Sequence, residues 1–182
     1  IHDAAQAMVH PIQKVLEKAV EQFVPQRIPI EMRMVRGPAH SLWGANCGTC
    51  VGTDWKLWKD RSFSLIAVID ALNKQVVGYV HLYATEVNGQ KALIVPGIEP
   101  RVEFIHQVHV KDFYQLVEKT FDRLIQEGDW EALYLPEYEY ALSGRLDIRH
   151  EIFSKKYPVV KVSGEAISWS TDPRYHLSAL YL

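Results

Sequence analysis

The chain has 182 residues, of which 48% are hydrophobic, and a formal net charge of −2. That length and composition suit one compact domain with a sizeable core, which excludes intrinsic disorder and collagen-like repeats. The near-neutral charge argues against nucleic-acid binding, and no apolar run approaches the roughly 18–20 residues that cross a bilayer, so we expect a soluble protein with no nucleic-acid or membrane partner.

The first 61 residues give three different patterns. Apolar residues recur at three- and four-residue steps from Ala5 to Phe23, which predicts a helix, and they alternate with polar residues from Gln26 to Val35, which predicts a strand. The stretch from Gly37 to Arg61 is rich in glycine and tryptophan and has no clear period. We therefore divide the chain into an N-terminal segment (1–61) and a main segment (62–182), together forming one compact domain.

A three-stranded meander follows in the main segment. The predicted strands are Phe63–Asp70, Val76–Val87 and Lys91–Ile98, and Pro96-Gly97 interrupts the last of them. The Asn88-Gly89 pair between the second and third strands is a strong hairpin signal, because both residues tolerate positive φ. These strands should be antiparallel neighbours.

The rest of the chain alternates helices and strands. A polar stretch, Glu99–Val110, precedes an amphipathic helix that Gly128 should end. The predicted elements from there on are helix Lys111–Glu127, strand Trp130–Leu135, helix Ser143–Lys156, and closing strands Pro158–Ser168 and Tyr175–Leu182. This order indicates an α+β (mixed α/β) fold, with a mostly antiparallel mixed sheet flanked by helices.

A meander, a helix, a strand, a helix and a closing pair of strands resemble the fold of the GNAT acyltransferases over residues 62–182. In that family the strand before the long helix splays from its neighbour, and the pantetheine arm of acyl-CoA lies in the gap. The resemblance therefore implies acetyl-CoA or another acyl-CoA as cofactor, with an amine or thiol as acceptor, either a small molecule or a protein. The cofactor-binding residues it implies are Val95, Gly97, Val108, Val110 and Lys111.

The chain departs from the family at two motifs. The family's phosphate loop carries glycines that let backbone N–H groups approach a pyrophosphate, whereas Ile105–Asp112 has no glycine and ends in a carboxylate. Phe153 stands where the family often has a tyrosine that protonates the departing thiolate, and Tyr157 lies one turn later. These departures support an alternative, a non-catalytic GNAT-like binding module of a larger protein.

Candidate catalytic and acceptor-binding residues follow from position and chemistry. Glu99 and His109 flank the predicted cofactor site and are the groups expected to take a proton from the acceptor. The aromatic and acidic residues after the strand ending at Leu135 suit a cationic amine, and an arginine opening the next helix suits a carboxylate or phosphate. The acceptor-binding candidates are Tyr134, Glu137, Tyr138 and Arg145.

Two cysteines, Cys47 and Cys50, suggest a further alternative. They are too few for a disulfide framework, which favours a reduced cytoplasmic location. Cys47 or Cys50 is a candidate nucleophile if a histidine lies near, the candidates being His81, His106, His109 and His150. Two thiols three residues apart can also hold a metal or form a redox pair, so the further alternative is a thiol- or metal-dependent protein centred on Cys47 and Cys50. A structural zinc needs four ligands and there is no second cysteine pair, so no zinc site is expected. Because the chain begins without methionine or a signal pattern, we expect one domain of a longer protein, with other domains among its partners.

Overall fold

A computed structural model of the chain describes residues 28–35, 60–136, 142–160 and 177–181. The predicted N-terminal helix, Ala5–Phe23, and most of the glycine- and tryptophan-rich segment lie outside these residues. No helix among the residues described is long and apolar enough to cross a membrane.

The described residues form one seven-stranded sheet and three helices. The strands are β1 (Ile30–Val35), β2 (Phe63–Asp70), β3 (Gln75–Val87), β4 (Gln90–Pro100), β5 (Ala132–Pro136), β6 (Val159–Val160) and β7 (Leu177–Tyr181). The helices are α1 (Val102–Ile105), α2 (Val110–Gly128) and α3 (Leu146–Ser154). The strand order is β1-β2-β3-β4-β5-β7-β6, with β4 and β5 parallel and the other described neighbours antiparallel.

Local sequence explains the turns of the meander. Asn88 and Gly89 both have positive φ, at 50° and 81°, as the sequence predicts for a tight hairpin between β3 and β4. At the β2–β3 turn the carboxylate of Asp70 accepts hydrogen bonds from the backbone N–H of Leu72 at 2.9 Å and of Asn73 at 3.2 Å. An aspartate that satisfies nearby backbone N–H groups favours a turn over a continued strand.

Two hydrophobic cores lie on opposite faces of the sheet. The helical face packs strand residues such as Val80, Leu93 and Ile98 against Phe113 and Val117 of α2. The second face is formed by the alternate strand residues, namely Leu65, Tyr79, Tyr83, Ile94 and Tyr134 among others. Because side chains alternate along a strand between its bulges, His81 of β3 lies on the second face with Tyr79 and Tyr83.

The structure corrects the predicted course of β4. The strand continues through Pro96-Gly97 to Pro100 instead of ending at Ile98. Tyr83 pairs with Ile94 and His81 pairs with Gly97, so two residue steps on β3 match three on β4. One extra residue in one strand of an antiparallel pair is a β-bulge, which bends the strand and leaves part of its backbone out of the ladder.

Three smaller differences concern the helices. The single turn α1 lies in the stretch Glu99–Val110, where the sequence predicted no element. The last helix begins at Leu146 instead of Ser143. Asp129, at φ 54°, is the left-handed residue that follows α2, while Gly128 is still helical. A side chain at Gly128 would collide with the indole of Trp130, so glycine is required there for packing.

Candidate active site

The strands β4 and β5 part at the bulge. They pair over three residues only, from Ala92 opposite Ala132 to Ile94 opposite Tyr134. Beyond Ile94, β4 stays paired with β3 as far as Pro100 but has no further β5 partner in the described residues. We call the gap between Val95–Pro100 of β4 and the end of β5 the divergence. The backbone of β4 that faces β5 is therefore outside the sheet's hydrogen-bonded ladder here.

A close packing contact shapes the bulge. The imidazole of His81, on the neighbouring strand, lies directly against Gly97. A Cβ at Gly97 would lie 2.7 Å from Nδ1 of His81, closer than real side chains approach. Only glycine at this position lets the imidazole keep its place over the bulge.

The far end of β4 is held by the residues that precede α3. We call these contacts the clasp, defined by Ser143–Arg145 and Ile98–Pro100. The Ser143 hydroxyl donates to the Ile98 carbonyl at 2.6 Å, the Gly144 N–H donates to the Glu99 carboxylate at 2.8 Å, and Arg145 Nε donates to the Pro100 carbonyl at 2.7 Å. The clasp therefore fixes the position of Glu99 beside the divergence.

Glu99 is the carboxyl group most affected by its surroundings at this end of β4. Burial raises its pKa, while the Gly144 N–H and the charges of Arg145 and Arg149 oppose the rise without cancelling it. A carboxyl whose pKa is raised toward neutrality takes and returns protons more readily than an exposed one. Glu99 lies on the second face, opposite Tyr79 of β3.

An open groove of about 760 Å³ lies between the start of α2 and α3. Its lining consists of His109, Val110, Lys111 and Asp112 from α2 and of Asp147, His150, Glu151 and Ser154 from α3. The His109 side chain makes no capping hydrogen bond, and the first turn of a helix presents N–H groups that favour an anion. Three carboxylates oppose this preference, and Lys111 is the only lysine or arginine in the lining.

Tyr157 takes part in a network of hydrogen bonds and an ion pair with residues of α2. Its hydroxyl donates to the Glu118 carboxylate at 2.7 Å and lies 3.2 Å from the Tyr114 hydroxyl, while Lys155 makes an ion pair with Glu118 at 2.6 Å. Burial, followed by these hydrogen bonds, raises the pKa of Tyr157. The network joins α2 to the segment after α3. Phe153 lines a smaller cavity of about 280 Å³ together with Tyr157.

The structure groups most of the predicted site residues into two regions. Val95, Gly97, Glu99 and Arg145 lie at the divergence, with Val95 buried on the helical face. His109, Val110 and Lys111 line the groove, and Val108 is buried just before them.

The other predicted site residues lie elsewhere. Tyr134 is buried on the second face, where burial raises its pKa, and its hydroxyl donates to Gln90 at 3.4 Å, near the hairpin. Cys47, Glu137 and Tyr138 lie outside the described residues. Their roles remain predictions.

His81, which the sequence suggested only as a thiol partner, packs against Gly97 at the bulge. It is 7% exposed, and burial lowers its pKa to about 4. Its Nε2 has no hydrogen-bond partner within the described part of the chain. A histidine between Val80 and Leu82 in an apolar strand was the one sequence signal for it.

Solved structures share this fold, although no family model and no curated protein matches the sequence. A ribosomal-protein-alanine N-acetyltransferase from Brucella melitensis biovar Abortus 2308 is similar at a TM-score of 0.52 and 14% identity, over 76% of this chain and 99% of that one. A GNAT family acetyltransferase from Elizabethkingia anophelis with acetyl-CoA bound is similar at 0.51 and 12%, over 86% and 100%. An acetyltransferase from Streptococcus agalactiae 2603 is similar at 0.51 and 9%, over 84% and 98%. The predicted GNAT-like α+β fold is thereby confirmed.

Proposed function

We propose that this chain binds an acyl-CoA in the divergence and transfers its acyl group to an amine or thiol acceptor. The observation that carries the proposal is that β4 leaves β5 at a bulge and, within the described parts of the chain, presents an unpaired strand edge. An extended ligand with amide groups, such as a pantetheine arm, can pair with such an edge as an added strand would. The similar fold of the Elizabethkingia anophelis enzyme, which has acetyl-CoA bound, supports this choice of ligand.

The shape of the site gives the ligand a direction. The divergence is closed where Ile94 still pairs with Tyr134, and β4 runs on from there to Pro100 without a β5 partner among the described residues. The acyl end of the ligand therefore belongs at Val95–Gly97, and its phosphates belong at the first turn of α2 near Lys111. The Ile98 carbonyl already accepts one hydrogen bond from Ser143, which favours pairing of the ligand with β4 at Val95–Gly97.

Glu99 is the group proposed to accept the proton. The acceptor nitrogen or sulfur attacks the thioester carbonyl carbon, the C–S bond breaks, and the CoA thiolate leaves with its electron pair. The acceptor's proton passes to the Glu99 carboxylate, which the clasp holds two residues from Gly97. Holding both reactants in one cleft supplies the proximity that such a reaction needs. His109, on the groove side, is the second candidate for this proton.

A second candidate function is a GNAT-like binding module without catalysis. The observation that favours it is the groove, where Asp112, Asp147 and Glu151 stand against the single Lys111. Carboxylates at a helix start repel a pyrophosphate, and the segment has no glycine that would let the backbone approach one. Under this alternative the divergence holds a partner chain or another ligand.

Binding measurements separate the two functions. Calorimetry and thermal unfolding with millimolar acetyl-CoA should give saturable binding, with a stabilisation of roughly 2.7 kcal/mol at a hundredfold excess over Kd. Lys111→Gln should weaken binding, whereas Lys119→Gln, an exposed lysine on the same helix outside the groove, should not. Absence of binding, or an equal effect of both lysines, would contradict the proposed site and favour the module.

A further inference from the structure

His81 occupies a central and unusual position in the sheet. It faces Gly97 across the β3–β4 pair at the bulge, and its ring centroid is 6.0 Å from that of Phe63 on β2. Its side chain is 7% exposed, and Nε2 makes no hydrogen bond to any described residue. Most buried side-chain polar atoms have at least one hydrogen-bond partner, so an Nε2 without one among the described residues needs an explanation.

Packing alone does not explain a histidine here. A leucine or phenylalanine would fill the same apolar space without leaving a polar atom unpaired, and the neighbouring Val80 and Leu82 show that this strand accepts apolar residues. Gly97 leaves the room that the imidazole occupies, since any Cβ there would meet Nδ1. Two positions on different strands are thus matched to place an unpaired imidazole at the point where β4 leaves β5.

We propose that His81 is a ligand-binding residue whose Nε2–H donates a hydrogen bond to the carbonyl oxygen of an acyl thioester at the β4 bulge. This inference rests on the proposed function, because it takes acyl-CoA as the ligand and Val95–Gly97 as the place of its acyl end. The same hydrogen bond shortens as the carbonyl oxygen gains negative charge during attack by the acceptor, so His81 also stabilises the transition state.

The electrostatic surroundings suit a neutral donor. Burial keeps the imidazole uncharged at neutral pH, and in the tautomer with its proton on Nε2 it donates one hydrogen bond without carrying a charge into the core. The titratable side chains two positions to either side of it on the same face of β3 are Tyr79 and Tyr83, and Tyr83 donates to Asp60 at 2.6 Å. Glu99, opposite Tyr79, is held by Gly144. Proton acceptance can thus be assigned to Glu99 and carbonyl polarisation to His81.

The comparison of acetyl-CoA with CoA tests this assignment, because CoA has a free thiol and lacks the thioester carbonyl. Calorimetry should show that His81→Leu weakens acetyl-CoA binding by about two- to tenfold, the net contribution of one neutral hydrogen bond, and leaves CoA binding unchanged. His106→Leu, at an exposed histidine after α1, should change neither affinity. An unchanged ratio of the two affinities in His81→Leu would overturn the role of His81 and leave the proposed function standing.

A spectroscopic measurement on the unaltered chain covers the case in which the variant fails to fold. The ¹⁵N signal of His81 Nε2 should move on addition of acetyl-CoA and stay in place on addition of CoA. If both ligands bind and the Nε2 signal moves with neither, the inference about His81 is overturned while the proposed function stands. If the unaltered chain binds neither ligand, the proposed function fails and the inference fails with it.

Discussion

Acid should destabilise this protein through His81, and substitution of that residue should remove the effect. The pKa of His81 falls from 6.5 to about 4 in the folded chain because burial disfavours the charged imidazole. The unfolded chain therefore binds a proton as pH falls below 6.5, whereas the folded chain does so only near pH 4. Stability is unaffected by this group above pH 7 and decreases as pH falls from 6.5 to 4.

The size of the effect follows from the two pKa values. The two pKa values differ by about 2.5, which corresponds to a loss of roughly 3 kcal/mol in the free energy of unfolding once the pH has fallen below 4. About 2 kcal/mol of this should already be lost at pH 5. Other groups titrate nearby: the raised pKa of Glu99 acts in the opposite direction, and the lowered pKa of Asp70 adds to acid loss at lower pH. Both are present in His81→Leu, so they cancel when the two chains are compared.

Urea unfolding at pH 7.5, 6, 5 and 4.5 measures this difference. We expect His81→Leu to be at least as stable as the unaltered chain at pH 7.5, since it removes a buried polar atom that has no hydrogen-bond partner among the described residues. Between pH 7.5 and 5 the unaltered chain should lose about 2 kcal/mol more than the variant. Equal losses in both chains would refute the buried, neutral state assigned to His81.

Three further predictions concern the cleft and its surroundings. Glu99→Gln keeps an acceptor for the Gly144 N–H, so the free energy of unfolding should change by less than about 1 kcal/mol. The release of CoA thiol with an amine acceptor should nevertheless slow about a hundredfold, and an unchanged rate would exclude Glu99 as the base. Asp112→Asn should tighten CoA binding about two- to fivefold at low salt, whereas Asp129→Asn, outside the groove, should not. Equal CoA affinities of the two variants would show that the Asp112 carboxylate does not face the phosphates. Tyr157→Phe should lower the free energy of unfolding by about 1–2 kcal/mol in urea titrations and leave acetyl-CoA affinity unchanged; weaker binding would place Tyr157 in the site.

The parts of the fold that sequence predicts well are those specified by neighbouring residues. The short apolar runs of β2 and β3, their turn residues and the Asn88-Gly89 pair predict the hairpin pairs that the structure shows. The amphipathic spacing of α2 predicts its extent to within a residue at each end. Each of these features depends on contacts within a few positions of the chain, so the order of elements follows from sequence, and the GNAT-like fold is what that order resembles.

Features that depend on distant residues could not be predicted in the same way. Pro96-Gly97 was interpreted as an interruption because sequence does not show that β3 keeps its pairing with β4 beyond a bulge. The partner of Glu99 is Gly144, 45 positions away, and the burial of His81 depends on β2 and β4 as well as on its own strand. A lone histidine in an apolar strand carries no signal of whether its nitrogens are paired.

The central claim is that acyl-CoA binds where β4 leaves β5, and amide NMR of the ¹⁵N-labelled chain titrated with acetyl-CoA tests it most directly. We expect saturable shift changes at Val95, Gly97 and Ile98 and in the first turn of α2 at Val110 and Lys111, with little change at the β3–β4 hairpin around Asn88. Binding that leaves the amides of Val95–Ile98 unmoved, or no binding at millimolar acetyl-CoA, would contradict the claim.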